Sequence, residues 1–153
     1  MMQAEAPLWF LNTRVQFLKS SASPDGLCVQ EHRMPYGDSP PLHVHERQDE
    51  IFHILEGRVR FRVGDEEVVA FAGDSLVGPK GVPHSFRVES EEGARMLVMS
   101  VGEDFEAFVR SFGRPATGEG MPPLAEPTPA QQAELARLAH ANRIEIIGPP
   151  MAA

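Results

Sequence analysis

Short alternations of apolar and polar residues, broken every few positions by Gly, Pro or Asp, run from Leu27 to about Val101. Side chains of a strand point alternately to its two faces, so this pattern predicts a series of half-buried β-strands. The clearest case is residues 58–63, where Val59, Phe61 and Val63 alternate with Arg58, Arg60 and Arg62, giving one buried face and one wet, cationic face. Gly64-Asp65-Glu66 then offers a hairpin turn into a strand over residues 67–71, and Gly73-Asp74 and Gly78-Pro79-Lys80-Gly81 supply further turns. Residues 84–88 alternate again. Residues 95–101 are largely apolar on both faces, which suits a strand covered on both sides.

Beyond Val101 the periodicity changes. Phe105, Phe108, Val109 and Phe112 fall at i, i+3, i+4 and i+7, which predicts a helix pinned to the sheet by that stripe and closed by Gly113 in the left-handed conformation. Residues 113–127 are rich in Pro and Gly and read as an extended connector, either a lid over a cavity or a strap on the outer wall. Thr128-Pro129-Ala130-Gln131 then combines an N-cap, a first-turn proline and a capping-box glutamine, opening a helix to about Asn142. The predicted organisation is an amino-terminal segment (1–26) packed on a barrel, an all-β antiparallel barrel or sandwich (27–101) and a helical extension (102–153).

Composition narrows the function classes. A chain of 153 residues is about one domain, and its 14 prolines and 13 glycines suit short strands joined by tight turns. The net charge of −8 argues against nucleic acid as a partner, since binding phosphates needs a cationic surface. Cys28 is the one cysteine, so no intrachain disulfide or thiolate zinc cluster is available, and a cytoplasmic location is expected. A leader pattern at the amino terminus and a run of about 20 apolar residues are both missing, so no membrane association is expected.

The candidate chemistry is a metal site. His43 and His45 share one face if residues 42–46 are extended, a conformation that Pro40-Pro41 favours, and Glu50 and His84 lie within reach of the same point. Three imidazoles and one carboxylate suit one divalent transition ion (Fe, Mn, Ni, Co, Cu or Zn), with no thiolate to select zinc and too few oxygens for Ca or Mg. An octahedral ion would keep two positions open for water, dioxygen or a chelating substrate. The remaining histidines, His32, His53 and His140, stay unassigned; His53 is three residues from Glu50 and so points outward from the same strand.

These residues lie within a longer pattern that resembles the two signature motifs of the cupin superfamily. The first, Gly-x5-His-x-His-x4-Glu-x6-Gly, is met by Gly37, His43, His45, Glu50 and Gly57, and the second, Gly-x5-Pro-x-Gly-x2-His, by Gly73, Pro79, Gly81 and His84. Taking the chain's own residue frequencies as independent, a chance match is on the order of 10⁻¹¹ per register. The tail is similar to that of single-domain bacterial cupins grouped with quercetin dioxygenases. The resemblance implies an antiparallel jelly-roll β-barrel with two C-terminal helices, with His43, His45, Glu50 and His84 turned inward as ligands. The second motif often carries Asn four residues after its histidine; here Val88 stands there and, if it points inward like Phe86, makes that part of the cavity drier. Phe52, Phe61, Phe86, Met96 and Val98 are the candidate lining residues.

What this implies for activity is a metal-dependent, dioxygenase-like enzyme for a small, largely apolar or aromatic oxygenated substrate, with Glu50 as ligand or catalytic base. A non-catalytic binding or sensing barrel and a redox-neutral isomerase are the competing readings. Homodimerisation is expected, because small cupins commonly pair and residues 95–101 offer a surface for a second copy.

Overall fold

A computed structural model describes residues 5–153; the first four residues of the amino-terminal segment lie outside it. The elements in chain order are β1 (Leu8–Phe10), β2 (Thr13–Lys19), β3 (Leu27–Met34), β4 (Leu42–His45), β5 (Glu50–Glu56), β6 (Arg58–Val63), β7 (Glu66–Phe71), β8 (Ser75–Gly78), β9 (His84–Val88) and β10 (Ala94–Val101). After them come α1 (Asp104–Phe112), β11 (Arg114–Pro115), α2 (Pro129–Ala141) and β12 (Ile144–Gly148).

Alternation along β6 builds the shell as expected. Val59 and Phe61 are fully buried, opposite Val88 and Phe86 of β9, while Arg60 reaches outward to Glu89 at 2.8 Å. All strand pairs are antiparallel and form two sheets, one ordered β11-β1-β2-β3-β10-β5-β8 and the other β12-β4-β9-β6-β7. Their inner faces meet over one core that includes Val15, Phe17, Phe52, Ile54, Phe61, Val88, Met96 and Val98. This is the jelly-roll arrangement, and burying those apolar side chains is its main source of stability.

Both sheets take in strands from outside residues 27–101. β1 and β2 extend the larger sheet through β3, and β12 closes the smaller one by pairing with β4, with Ile144 opposite His45 and Ile146 opposite His43. β10 sits between β3 and β5. Its inner row, Ala94, Met96, Val98 and Ser100, is buried, but within the chain its outer row is not covered: Leu97 and Met99 are half-buried and Val101 is exposed. His53 lies on the outward face of β5, bonded to Ser75 Oγ at 2.7 Å, as its spacing from Glu50 requires.

The helices form where the stripes and caps place them. α1 buries Phe105, Phe108 and Val109, and α2 opens on the Thr128–Gln131 capping box and buries Leu135 and Ala139. Gly113 corrects one expectation: its backbone is extended (φ −63°, ψ 156°), not left-handed. Glycine is needed there for close approach, since a Cβ would lie 2.7 Å from the Val109 carbonyl oxygen. Residues 113–127 are a strap on the outer wall. Arg114 and Pro115 pair with β1, Trp9 Nε1 donates to Gly120 O, Arg14 donates to Gly118 O and Gly120 O, and Asn12 and Ala125 bond each other in both directions. Among the described residues, no helix is long and apolar enough to cross a membrane.

Candidate metal centre

Each of the four predicted ligands is placed by a strand. β4 turns His43 and His45 to one face, Glu50 opens β5, and His84 opens β9 directly opposite His43. The ring centroids of His43 and His84 are 4.5 Å apart, those of His43 and His45 5.1 Å, and those of His45 and His84 5.3 Å. One candidate donor atom from each of the four residues lies within 4.8 Å of all the others. The structure therefore brings together all four residues that the sequence singles out, with His45, Glu50 and His84 buried.

The hydrogen bonding of the cluster fits an ion. His43 Nδ1 donates to the Pro41 carbonyl at 2.7 Å, which leaves Nε2 with its lone pair. Glu50 Oε2 lies 2.8 Å from His84 Nε2 and 2.9 Å from His45 Nε2. The second approach is close, yet no hydrogen aligns with it, and both ring nitrogens of His45 remain buried without a hydrogen-bond partner. Buried polar atoms are nearly always satisfied, so an imidazole in this state is one that a coordinate bond would satisfy.

Electrostatics couple the same residues. Burial works against a charged Glu50, but the close approach of His45 and the hydrogen bond and charge of His84 outweigh it and hold the carboxyl well below the usual carboxylate range. Burial likewise pulls His84 down, and the bond and charge of Glu50 override it, raising its pKa. His43 has less compensation: burial, followed by the neighbouring His84 and His45, pushes it to about 3, so its ring is a neutral donor at ordinary pH.

Gly78 is a site residue that sequence reasoning passed over as a turn position. It sits opposite Glu50, and a Cβ there would lie 3.0 Å from ring atoms of His84, so the missing side chain makes room for that imidazole.

His43, His45 and Glu50 of the cluster face a cavity of ≈ 90 Å³. Phe52, Phe86, Met96 and Val98 line it as expected. Phe61 and Val88 do not; both are completely buried and pack behind the lining, Phe61 with its ring 5.0 Å from Phe52 and 5.6 Å from Phe86. Val88 is thus core, and the dryness of the cavity comes from other groups. Periodicity reports which face a residue occupies and not how deep it lies. The remaining wall comes from elements whose role was not visible in the sequence, among them Phe10, Phe105 and Phe108, Leu135 and Ile144. Three polar features join the ligands on the wall. One is His32, another is Ser39, and the third is the Thr13–Asp38 hydrogen bond of 2.8 Å, where burial raises the Asp38 carboxyl against the pull of Thr13 and the Ser39 backbone.

Residues 30–100 match the family described as Cupin domain. Over 88 residues the chain is 34% identical to a quercetin 2,3-dioxygenase of Bacillus subtilis, a stretch that is 58% of this chain and 26% of that protein, so the chain spans about a quarter of the relative's length. An RmlC-like cupin from Shewanella frigidimarina superposes with a TM-score of 0.57 at 20% identity, covering 68% of this chain and 99% of that one. A sugar phosphate isomerase of the cupin superfamily from Silicibacter pomeroyi gives 0.51 at 22% identity, covering 59% of each chain. At these identities the solved structures speak for the fold alone. Two intact motifs, a doubled antiparallel sheet and the match over residues 30–100 identify that stretch of the chain as a cupin domain.

Proposed function

We propose that the chain is a metal-dependent, dioxygenase-like oxidoreductase for a small, largely apolar or aromatic molecule with vicinal oxygens. The observation that carries this reading is a mostly apolar cavity that reaches His43, His45 and Glu50, with His84 beside them in the same cluster. When bound, a divalent transition ion supplies a Lewis acid that lowers the pKa of a coordinated substrate hydroxyl. The three imidazoles hold the site, with His43 oriented by Pro41. Glu50, whose carboxylate lies beside His45 and His84 on the cavity wall, is the group placed to take the hydroxyl proton. The resulting anion is electron-rich and prone to react with dioxygen, while Phe52, Phe86, Met96 and Phe105 exclude water from it.

Size constrains the substrate. At ≈ 90 Å³ the cavity is smaller than the dry cavity of about 150 Å³ that takes up benzene, so it would seat the oxygen-bearing part of a single ring and not enclose a flavonol. A sugar is a poorer fit, because its hydroxyls would face more apolar wall than polar partners. The likeness to the quercetin dioxygenase supports the reaction type, not that substrate.

The test is oxygen uptake by metal-loaded protein offered catechols and small enediols, beside Glu50→Gln matched for metal content. Uptake that falls about a hundredfold in E50Q supports the reading. Tight binding with no uptake identifies a binding module instead, and conversion without oxygen consumption identifies a redox-neutral enzyme.

A further inference from the structure

One register row on the inner face of the larger sheet runs Val15, His32, Met96, Ile54. Three of these are core hydrophobics, and His32 is the exception. Its ring is 7% exposed, lines the cavity and stacks on Phe105 with centroids 6.3 Å apart. Phe105 in turn packs edge-on against His45 at 5.5 Å. Phe105 thus touches both His32 and His45, and His32 shares the cavity wall with the metal cluster.

His32 is also held in a defined state. Its Nε2 bonds Gln30 Oε1 at 2.9 Å, and Gln30 is completely buried. A carbonyl oxygen can only accept, so Nε2 carries the ring proton and Nδ1 carries a lone pair. Among the described residues, the amide nitrogen of Gln30 reaches only Cys28 Sγ, 3.6 Å away, which is a weak acceptor. Burying an amide for so little hydrogen bonding costs free energy that an apolar pair in these positions would not. Stability alone does not explain the pair.

We propose that His32 Nδ1 is a second recognition point of the cavity, accepting a hydrogen bond from an additional hydroxyl of a substrate whose vicinal oxygens are held at the His43, His45, Glu50 and His84 cluster. The inference rests on the vicinal-oxygen reading above and adds a selection rule to it: a molecule with a chelating pair and a further hydroxyl is preferred over one with the pair alone. Burial, only partly offset by the Glu50 charge, pushes His32 to about 4, so at neutral pH the ring is an acceptor and not a cation. A ligand without the extra hydroxyl leaves Nδ1 unpaired in a dry wall, at a loss of roughly tenfold in affinity.

The experiment is calorimetry on zinc-loaded protein under argon, which reads binding without turnover. Catechol is compared with pyrogallol and with 1,2,4-trihydroxybenzene, each a catechol with one further hydroxyl. For the wild-type protein one trihydroxybenzene is expected to bind about tenfold more tightly than catechol. In His32→Phe, which keeps the stack on Phe105 and lacks the acceptor, that ratio should fall to about one. His32→Asn, whose amide oxygen can take the place of Nδ1, should keep part of it. If H32F does not fold, His32→Leu replaces it with the same expectation. A ratio that survives in H32F or H32L overturns the proposal, as does a wild-type protein that prefers neither trihydroxybenzene while binding catechol. Failure of catechol itself to bind defeats the vicinal-oxygen reading, and this inference with it.

Discussion

A histidine buried in neutral form makes the fold acid-sensitive by a predictable amount, and His32 is the cleanest case because it lies outside the metal cluster. Its folded pKa is pushed by burial to about 4, against roughly 6.5 in an unfolded chain. The unfolded state therefore takes up the proton first as pH falls. The stabilisation is complete above about pH 6.5 and is lost progressively as pH drops towards 4. At pH 5.0 the unfolded ring is almost fully protonated and the folded ring only about one-tenth so, a bias of roughly thirtyfold, or about 2 kcal/mol, towards unfolding. Asparagine does not titrate. Urea unfolding of metal-free wild-type and His32→Asn protein at pH 7.5 and 5.0 should show the stability difference moving by about 2 kcal/mol in favour of the variant at the lower pH. A difference that stays within about 0.5 kcal/mol would show that His32 is not held neutral in the folded state and refute the reasoning.

Three other expectations rest on separate features. Gly57 and Gly73 both have left-handed backbones (φ 91° and 95°), but a Cβ on Gly57 would meet Gly93 O at 2.6 Å, whereas one on Gly73 meets nothing within 4 Å. Gly57→Ala should thus cost well over 2 kcal/mol and Gly73→Ala about 1 kcal/mol in denaturant unfolding, and equal costs would contradict the steric argument. His43→Ala or His84→Ala should cut bound metal at least tenfold while leaving the shell folded, because apolar burial holds it; loss of the thermal transition on chelation would be the contrary result. We also propose that a second copy covers the outer face of the larger sheet, where Leu27, Ile51, Val77 and Val101 are exposed on adjoining strands. Sedimentation should find a dimer that Ile51→Glu converts to monomer, and a monomeric wild-type protein at micromolar concentration would rule this out.

The metal cluster could be read from the sequence because its geometry is local. A two-residue period puts His43 and His45 on one face, and the left-handed Gly57 and Gly81 mark where β5 ends and where the chain turns towards β9. β2 carried a usable signal, since Thr13, Val15 and Phe17 alternate with Arg14 and Gln16. β12 carried almost none: Ile144–Gly148 is short, and its place is set by pairing with β4, a contact made almost a hundred residues apart in the chain. The cavity was only half legible for a related reason. Phe105 and Phe108 form a stripe that any packed helix would show, and only the docking of α1 decides that the stripe faces ligands. His32 looked like an isolated histidine because, although Gln30 is its same-face neighbour two residues back on β3, Phe105 reaches it only through helix docking. Gly113 followed the usual helix-ending rule in composition but not in conformation, since crowding against Val109 O is a tertiary matter.

The central claim is that one ion is held by His43, His45, Glu50 and His84. X-ray absorption on nickel-loaded protein, with metal content measured on the same sample, tests it most directly. The account predicts one equivalent per chain with the scattering of three imidazoles and a nitrogen- and oxygen-only shell, reduced by one imidazole in any nickel that His43→Ala retains. Nickel bound at full stoichiometry with an unchanged spectrum in a His43→Ala, His45→Ala, His84→Ala triple variant would contradict it.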